Sequence, residues 1–361
     1  MSNKLKVGVL GATGMVGQRF VSLLAEHPWF EISVVAASAA SAGKRYADAV
    51  AGRWTLSSAV PSHVAHMTVG NAGDVQQIAD QCDFVVCAVD MAKDAVARLE
   101  EDYARAETPL VSNNSAHRWT PDVPMMIPEI NPDHAAIITA QRKRLGTKRG
   151  FIAVKPNCSI QSYVPALHPL RSFGVKHIAV STYQALSGAG KTFESWPEMI
   201  DNIIPFIPNE EQKSEREPLK IWGTLGAKEI TAASSPTITA QCIRVPVSDG
   251  HMAAVFVSFD NKPKKEQILS AWQEFSGPPQ KLKLPSAPTP FLHYFDDDTR
   301  PQTKIDRDAG SGQAVTIGRL REDPLFDWKF VALSHNTIRG AAGGAVLTAE
   351  LLKSEGYISA K

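Results

Sequence analysis

Cys158 stands where a thiol can act as a nucleophile. In the segment FIAVKPNCSIQS an apolar β-type run ends at Val154, Pro156 stops it, and a helix-like stretch starts at or near Cys158. A thiol at the end of a strand and the N-terminus of a helix has its thiolate favoured by the helix dipole and by free amide donors. The same amides can cradle an oxyanion. Position alone leaves a structural role open. The other three cysteines read as inert core residues: Cys82 and Cys87 lie in an apolar strand, and Cys242 alternates within another. No pair has the spacing of a zinc site or a redox motif, so no metal is expected and a reducing compartment, the cytosol, is assigned.

Four later clusters could serve such a thiol. QALSGAGK, Gln184 to Lys191, ends a strand in a glycine loop. Asn209-Glu210-Glu211-Gln212-Lys213 opens a helix with mixed charge, which on its own reads as a solvated helix start. IRVPVSDGH places Arg244 and His251 on either side of a turn, and a lone histidine is ordinarily a surface or core residue. In SHNTIRGAAGG, Asn336 follows a strand. One of these is a decoy: ALSGAGKT, Ala185 to Thr192, nearly spells the phosphate loop of nucleotide triphosphatases. Ala185 replaces its first glycine, however, and Pro197 and Pro205 break the helix that should follow.

A second chemistry is written at the N-terminus. Gly8, Gly11, Gly14 and Gly17 recur in GVLGATGMVG, between an apolar strand and an amphipathic helix. Such glycines tighten the turn and let a phosphate approach backbone amides at the helix N-terminus. Strand, glycine turn, helix and second strand span about 30 residues, the context a dinucleotide site requires. The expected contacts are Gly11, Ala12, Thr13, Gly14, Met15 and Val16. An NAD site carries Asp or Glu at the end of the second strand. Here Glu31 lies at its start, and the end offers Ser38, Ser41 and Lys44, donors suited to a 2′-phosphate and hence to NADP(H).

The elements that must position these groups fall into two textures. Strands at Lys6 to Leu10, Glu31 to Ala37, Asp83 to Val89, Pro109 to Ser112 and Phe151 to Val154 alternate with helical stretches such as Lys93 to Arg105. That pattern implies a mostly parallel sheet covered on both faces, a Rossmann-type α/β domain over 1–157. After Cys158 the strands lengthen and alternate: Lys176 to Leu186, Thr237 to Val247, Met252 to Phe259 and Ala314 to Arg319. They predict an α+β domain over 158–338 with a mixed or antiparallel sheet, one face of it open to a partner subunit. Ser-Asp-Gly between the middle two reads as a hairpin turn. The small-residue tail, 339–361, is expected to pack back as a helix on the first domain. The Pro-rich stretch Gly277 to Pro290 is expected to be a loop.

The chain has 361 residues, of which 43% are hydrophobic and 21% charged, so disordered and collagen-like classes are excluded. Its 38 basic and 37 acidic side chains leave a net charge of +1, and neither a nucleic acid nor a membrane surface is expected as partner. No apolar run approaches the ~18–20 residues of a spanning helix, and the N-terminus breaks into glycines before a signal-type core can form.

Taken in order, the motifs resemble the aspartate-semialdehyde dehydrogenase family over essentially the whole chain, its fungal and archaeal branch above all. The resemblance rests on GATGMVG, SNNSAHR (Ser112 to Arg118), PEINPDH (Pro128 to His134), PNCSIQ, SGAGK, NEEQK, RVPVSDGH and HNTIRGAAGG. It implies Cys158 as nucleophile and His251 as acid/base, with Gln184 in the site. Arg244 and Glu211 would hold the substrate's carboxylate and amine, and Arg118 and Lys213 its phosphate, beside Asn114. Ser187, Gly188 and Asn336 would touch the cofactor. The implied reaction is NADPH-dependent reductive dephosphorylation of L-aspartyl-4-phosphate to the semialdehyde through a cysteine thioester. It belongs to the route to threonine, methionine, isoleucine and, in some organisms, lysine. A homodimer or homotetramer is expected. The alternatives are a sister acyl reductase (N-acetylglutamyl-phosphate reductase or a CoA-acylating malonyl-CoA reductase) and, outside enzymes, an NADP-binding redox sensor.

Overall fold

In the computed structural model, which describes residues 4–361, the first part of the chain builds a six-stranded, wholly parallel sheet. Its strands are β1 (Leu5–Leu10), β2 (Phe30–Ala37), β3 (Gly70–Asn71), β4 (Phe84–Cys87), β5 (Leu110–Ser112) and β6 (Ile152–Val154). Their order is β3-β2-β1-β4-β5-β6. Val7, Val9, Val85, Val86, Leu110, Val111, Ile152 and Ala153 are all buried, as expected of strands covered by helices on both faces. The order reverses between β1 and β4, and that switch point opens a crevice at the strands' carboxyl ends.

The second sheet has the order β10-β7-β11-β14-β13-β12 and mixed direction. Its strands are β7 (Val175–Gln184), β10 (Thr237–Arg244), β11 (His251–Phe259), β12 (Leu292–Phe295), β13 (Val315–Glu322) and β14 (Trp328–Ser334), with a short ribbon of β8 (Thr224–Leu225) and β9 (Ile230–Thr231) beside it. Burial alternates strictly along β11: His251, Ala253, Val255, Val257 and Phe259 face the core, where the Ile160–Leu167 helix packs. Met252, Ala254, Phe256 and Ser258 face outward and are half-buried within one chain.

The predicted hairpin does not form. β10 and β11 are not neighbours, because β7 lies between them, parallel to β10 and antiparallel to β11. The linker keeps pairing with the end of β7: Val245 N–H donates to Gln184 O (3.1 Å) and Leu186 N–H to Val247 O (2.8 Å). The turn at Ser248 to Gly250 therefore steps the chain over β7 rather than folding it back on β10. This places Gln184, Arg244 and His251 side by side at one end of the sheet.

The Gly343–Ser354 helix is buried from Gly343 to Leu352 and packs against the Met15–Leu24 helix and β5. His27 Nε2 and a Glu350 carboxyl oxygen form a buried hydrogen bond at 2.8 Å across that contact. Before the helix, the turn at Ile338–Ala342 brings Gly340 beside Cys158. A Cβ on Gly340 would lie 2.9 Å from that of Cys158, so only glycine lets the two segments meet. Among the described residues no helix is long and apolar enough to cross a membrane.

Candidate active site

The glycine turn caps β1 at the switch point. Gly11 has φ +80°, and a Cβ there would lie 2.3 Å from Ala88 O. One on Gly17 would lie 2.0 Å from Gly11 O. The Met15–Leu24 helix starts at Gly14 with no side-chain cap and no acidic residue in its first turn, so its free amides face the crevice without a competing anion. Gly11, Thr13 and Gly14 line a cavity of about 500 Å³ with Ser38, Ala39 and Arg53. These residues fit a dinucleotide: amides for a pyrophosphate, and a hydroxyl with a guanidinium, but no carboxylate at the end of β2, for a 2′-phosphate.

That cavity continues towards the thiol. Val89, Asp90 and Met91 line both it and a middle cavity of about 180 Å³. Asn114 and Ser115 line the middle one and a third, of about 260 Å³, that holds Cys158. One trough therefore runs from Ser38 to Cys158. The third cavity also meets Val16, Arg118, Lys155, Asn157, Ser187, Gly188, Lys213, Asn336 and Gly340. A further cavity of about 560 Å³ lies at the β3 edge and has no cysteine, histidine, lysine or arginine in its lining.

Cys158 lies just before the Ile160–Leu167 helix, whose N-cap is Ser159, and is the one cysteine not fully buried. Cys82, Cys87 and Cys242 are buried, and burial pushes all three thiols up. The expectation of a lowered Cys158 is not met. Burial and the Glu210 carboxylate raise it, while Lys155, Arg118 and Arg244 pull it down. The sequence reading counted the helix end and missed the desolvation.

His251 is fully buried at the start of β11, and burial together with Arg244 pushes it well below the usual histidine range. Its Nδ1 accepts the Ala185 N–H (3.1 Å), and its Nε2 has no partner. Arg244 Nη1 donates to Ala185 O (2.6 Å). Gly188 is wedged against both: a Cβ there would lie 2.8 Å from His251 Nε2 and 2.9 Å from Arg244 Nη1. Gln184 pairs in register with Arg244, donates to Thr182 Oγ1 (3.1 Å) and is buried behind the cavity wall. Asn336 accepts the Gly250 N–H (2.8 Å) and donates to Ser187 Oγ (2.8 Å), tying the two loops together.

Arg118 donates to Lys155 O (3.0 Å), Asn113 O (3.3 Å) and Glu217 (2.9 Å). Lys220 holds the loop that carries it, donating to the carbonyls of Arg118, Thr120 and Val123 at 2.7–3.0 Å. Asn114 reaches back to the buried Glu100 at 3.2 Å.

Two expected residues sit elsewhere. Glu211 turns away and accepts from Gln241 Nε2 (2.9 Å) and Cys242 N–H (3.3 Å) on β10. Glu210 turns instead to two residues of the cavity wall, accepting from Asn157 Nδ2 (2.8 Å) and Lys213 Nζ (3.0 Å). Residues three apart share a helix face, and Glu211 is about 100° round from Glu210. Ser41 is buried outside the groove, its N–H bonded to Ser38 O (2.9 Å), so Ser38 alone of the two serines lines it. Ala12 is buried, its carbonyl accepting from Tyr46 OH (2.9 Å), and Met15 is half-buried on the helix. Arg53 and Lys155 belong to no motif and were not anticipated. The only signal for Lys155 was a lysine directly after a buried strand.

With this geometry in place, the comparisons bear on function. The family model for the semialdehyde dehydrogenase NAD binding domain matches residues 6–138, and that for the semialdehyde dehydrogenase dimerisation domain matches residues 167–339. The chain is 41% identical to an aspartate-semialdehyde dehydrogenase of Aspergillus fumigatus, over 98% of this chain and 99% of that one. It is 40% identical to one of Archaeoglobus fulgidus, over 98% and 100%. The crystal structure of the Candida albicans enzyme with NADP superposes with a TM-score of 0.88 at 37% identity, covering 99% of this chain and 100% of that one.

Proposed function

The chain belongs to the aspartate-semialdehyde dehydrogenase family, and from that premise we propose how its own residues carry out the NADP(H)-dependent reaction. The observation that carries the reading is the continuous trough from the glycine turn and Ser38 to Cys158.

In the reductive direction the substrate is L-aspartyl-4-phosphate. Arg244 receives its α-carboxylate, as a planar guanidinium can do with two bonds. Glu210, in place of Glu211, receives the ammonium. Lys213 and Arg118 receive the phosphate, and Asn114 borders it. The Cys158 thiolate attacks the acyl carbon, the bond from that carbon to the phosphate oxygen breaks, and phosphate leaves a thioester on Sγ. NADPH bound along the groove supplies the hydride that reduces this thioester. His251 Nε2–H donates a hydrogen bond to the oxyanion of the resulting tetrahedral thiohemiacetal. Collapse of that oxyanion to the carbonyl, with cleavage of the C–S bond, releases the semialdehyde and the thiolate. Gln184 buttresses Arg244, and Asn336 with Ser187 and Gly188 forms the wall the nicotinamide meets.

The outward face of the mixed sheet, with Met252, Ala254 and Phe256, is the surface through which a homodimer or a tetramer would assemble. A cytoplasmic enzyme of the route to threonine, methionine, isoleucine and, in some organisms, lysine accords with this chemistry. The test is oxidation of L-aspartate 4-semialdehyde with NADP as acceptor. Turnover should require phosphate or arsenate and should ignore CoA. Turnover dependent on CoA, or full turnover by Cys158→Ala, would overturn the reading.

A further inference from the structure

Arg53, which supplies the guanidinium of the nucleotide groove, lies in an exposed turn after the Tyr46–Ala49 helix. Its Nη2 donates to Ala49 O (2.6 Å) and its N–H to Val50 O (2.9 Å), while Trp54 Nε1 donates to Ser58 O (2.6 Å). These bonds are all local in sequence. They fold the turn but do not fix it to the rest of the domain.

Gln18 makes that connection. It stands on the Met15–Leu24 helix, directly after Gly17, and is 1% exposed. Its Nε2 donates to Thr13 O (3.1 Å) in the glycine turn and to Arg53 O (2.8 Å). Its Oε1 accepts from Thr55 N–H (2.8 Å) and from Thr55 Oγ1 (3.1 Å). Both donors and both lone pairs are used, which is the full capacity of a side-chain amide. The partners also fix its orientation: turned end for end, Oε1 would face two carbonyls and Nε2 an N–H. Thr13 and Arg53 both line the groove. One buried amide thus spans from the glycine turn to the segment whose guanidinium fits a 2′-phosphate. Among the described residues no other hydrogen bond ties residues 53–55 to a distant part of the chain.

Resting on the reading of Arg53 as a 2′-phosphate contact, we propose that Gln18 is a positioning residue for cofactor choice. It acts through Arg53. With the 53–55 turn held in place, less conformational freedom is lost when the guanidinium is engaged, and only a ligand that engages it gains from this. NAD lacks the 2′-phosphate, so its binding should not sense Gln18. The effect of Gln18 on the preference is bounded by that of Arg53 itself, since the amide has no other route to the 2′-phosphate.

The experiment measures binding directly, by calorimetric titration of the full chain with NADP, NAD, adenosine 2′,5′-bisphosphate and 5′-AMP. It is run on the wild type, Gln18→Met, Arg53→Ala and the double variant. Methionine keeps the length of the side chain and removes all four bonds. Gln18→Met should weaken NADP and the bisphosphate by about three- to tenfold and leave NAD and 5′-AMP within about twofold. In the Arg53→Ala background the same substitution should not change the preference further. Equal losses for NADP and NAD, no loss for either, or an undiminished effect in the Arg53→Ala background would overturn the proposal while leaving the reading of Arg53 intact. Full retention of the NADP preference by Arg53→Ala would overturn that reading, and this proposal with it. If Gln18→Met does not fold, Thr55→Val takes its place. It removes one of the four bonds at an exposed residue and should lower the NADP-to-NAD affinity ratio about two- to threefold. An unchanged ratio there would overturn the proposal.

Discussion

At its nucleotide end the trough is floored by one glycine turn, with Gly11, Thr13 and Gly14, and walled by Ser38, Arg53 and the residues that follow β3 and β4. At its thiol end it is made by side chains scattered from Val16 to Ala341. The first is a backbone device, in which glycines allow a turn and a close approach that any Cβ would block. The second is a meeting of strand ends and loop tips: Cys158 after β6, Arg244 at the end of β10, His251 at the start of β11, Asn336 after β14. A local device tolerates change outside its few residues. An assembled one depends on how distant segments are held.

That contrast can be broken by substitution. The largest effect is expected from Cys158→Ala, which should reduce turnover below about a hundredth of wild type because no other group supplies the covalent step. NADP affinity, measured by fluorescence titration, should stay within about twofold, since the pyrophosphate and ribose contacts lie at the glycine turn and Ser38, away from the thiol. Next comes Gly188→Ala. Its methyl group would press on His251 Nε2 and Arg244 Nη1 together, and a displacement near 1 Å at reacting groups costs about a hundredfold. A kcat within threefold of wild type would show that the loop yields freely.

A smaller effect separates the two glutamates. Glu210→Gln should raise the semialdehyde KM about tenfold or more, through the lost charge-assisted bond, while Glu211→Gln should leave it within about twofold. The opposite ranking would restore the expectation from sequence. Smaller again is cofactor choice. Arg53→Ala should lower the preference for NADP over NAD by about tenfold, less than a buried contact would give because Arg53 is exposed.

The smallest effect is on stability. The Lys155 amine titrates near 7 in the fold against 10.5 unfolded, so over that window the unfolded chain binds more protons and stability rises with pH. Lys155→Met removes this slope. Its Tm relative to wild type should be most favourable below pH 7 and lose that advantage as pH approaches 10. A constant difference across pH would mean the amine is not desolvated.

The same contrast explains what was legible in the sequence. The glycine turn, the parallel strands and the thiol's position at a strand-to-helix junction are local, and their residues announce them. Glu211 turns to β10 and Glu210 to Asn157 and Lys213 because one residue of helical phase decides which way each side chain points, and no pattern in NEEQK fixes that phase. The false hairpin has a similar origin: Ser-Asp-Gly marks a turn, but not that β7 would slip between β10 and β11. Arg53 and Lys155 were invisible because their roles come from what packs over them. The desolvation that raises Cys158 and lowers His251 likewise exists only once the second sheet has closed.

The central claim is that Cys158 carries the acyl group. Mixing the wild type with L-aspartate 4-semialdehyde and NADP, without phosphate or arsenate, and quenching in acid tests it most directly. The prediction is a rapid burst of reduced cofactor together with an aspartyl mass adduct confined to the peptide bearing Cys158, discharged when phosphate is added. A burst with no adduct on that peptide, or an adduct elsewhere in the chain, would contradict it.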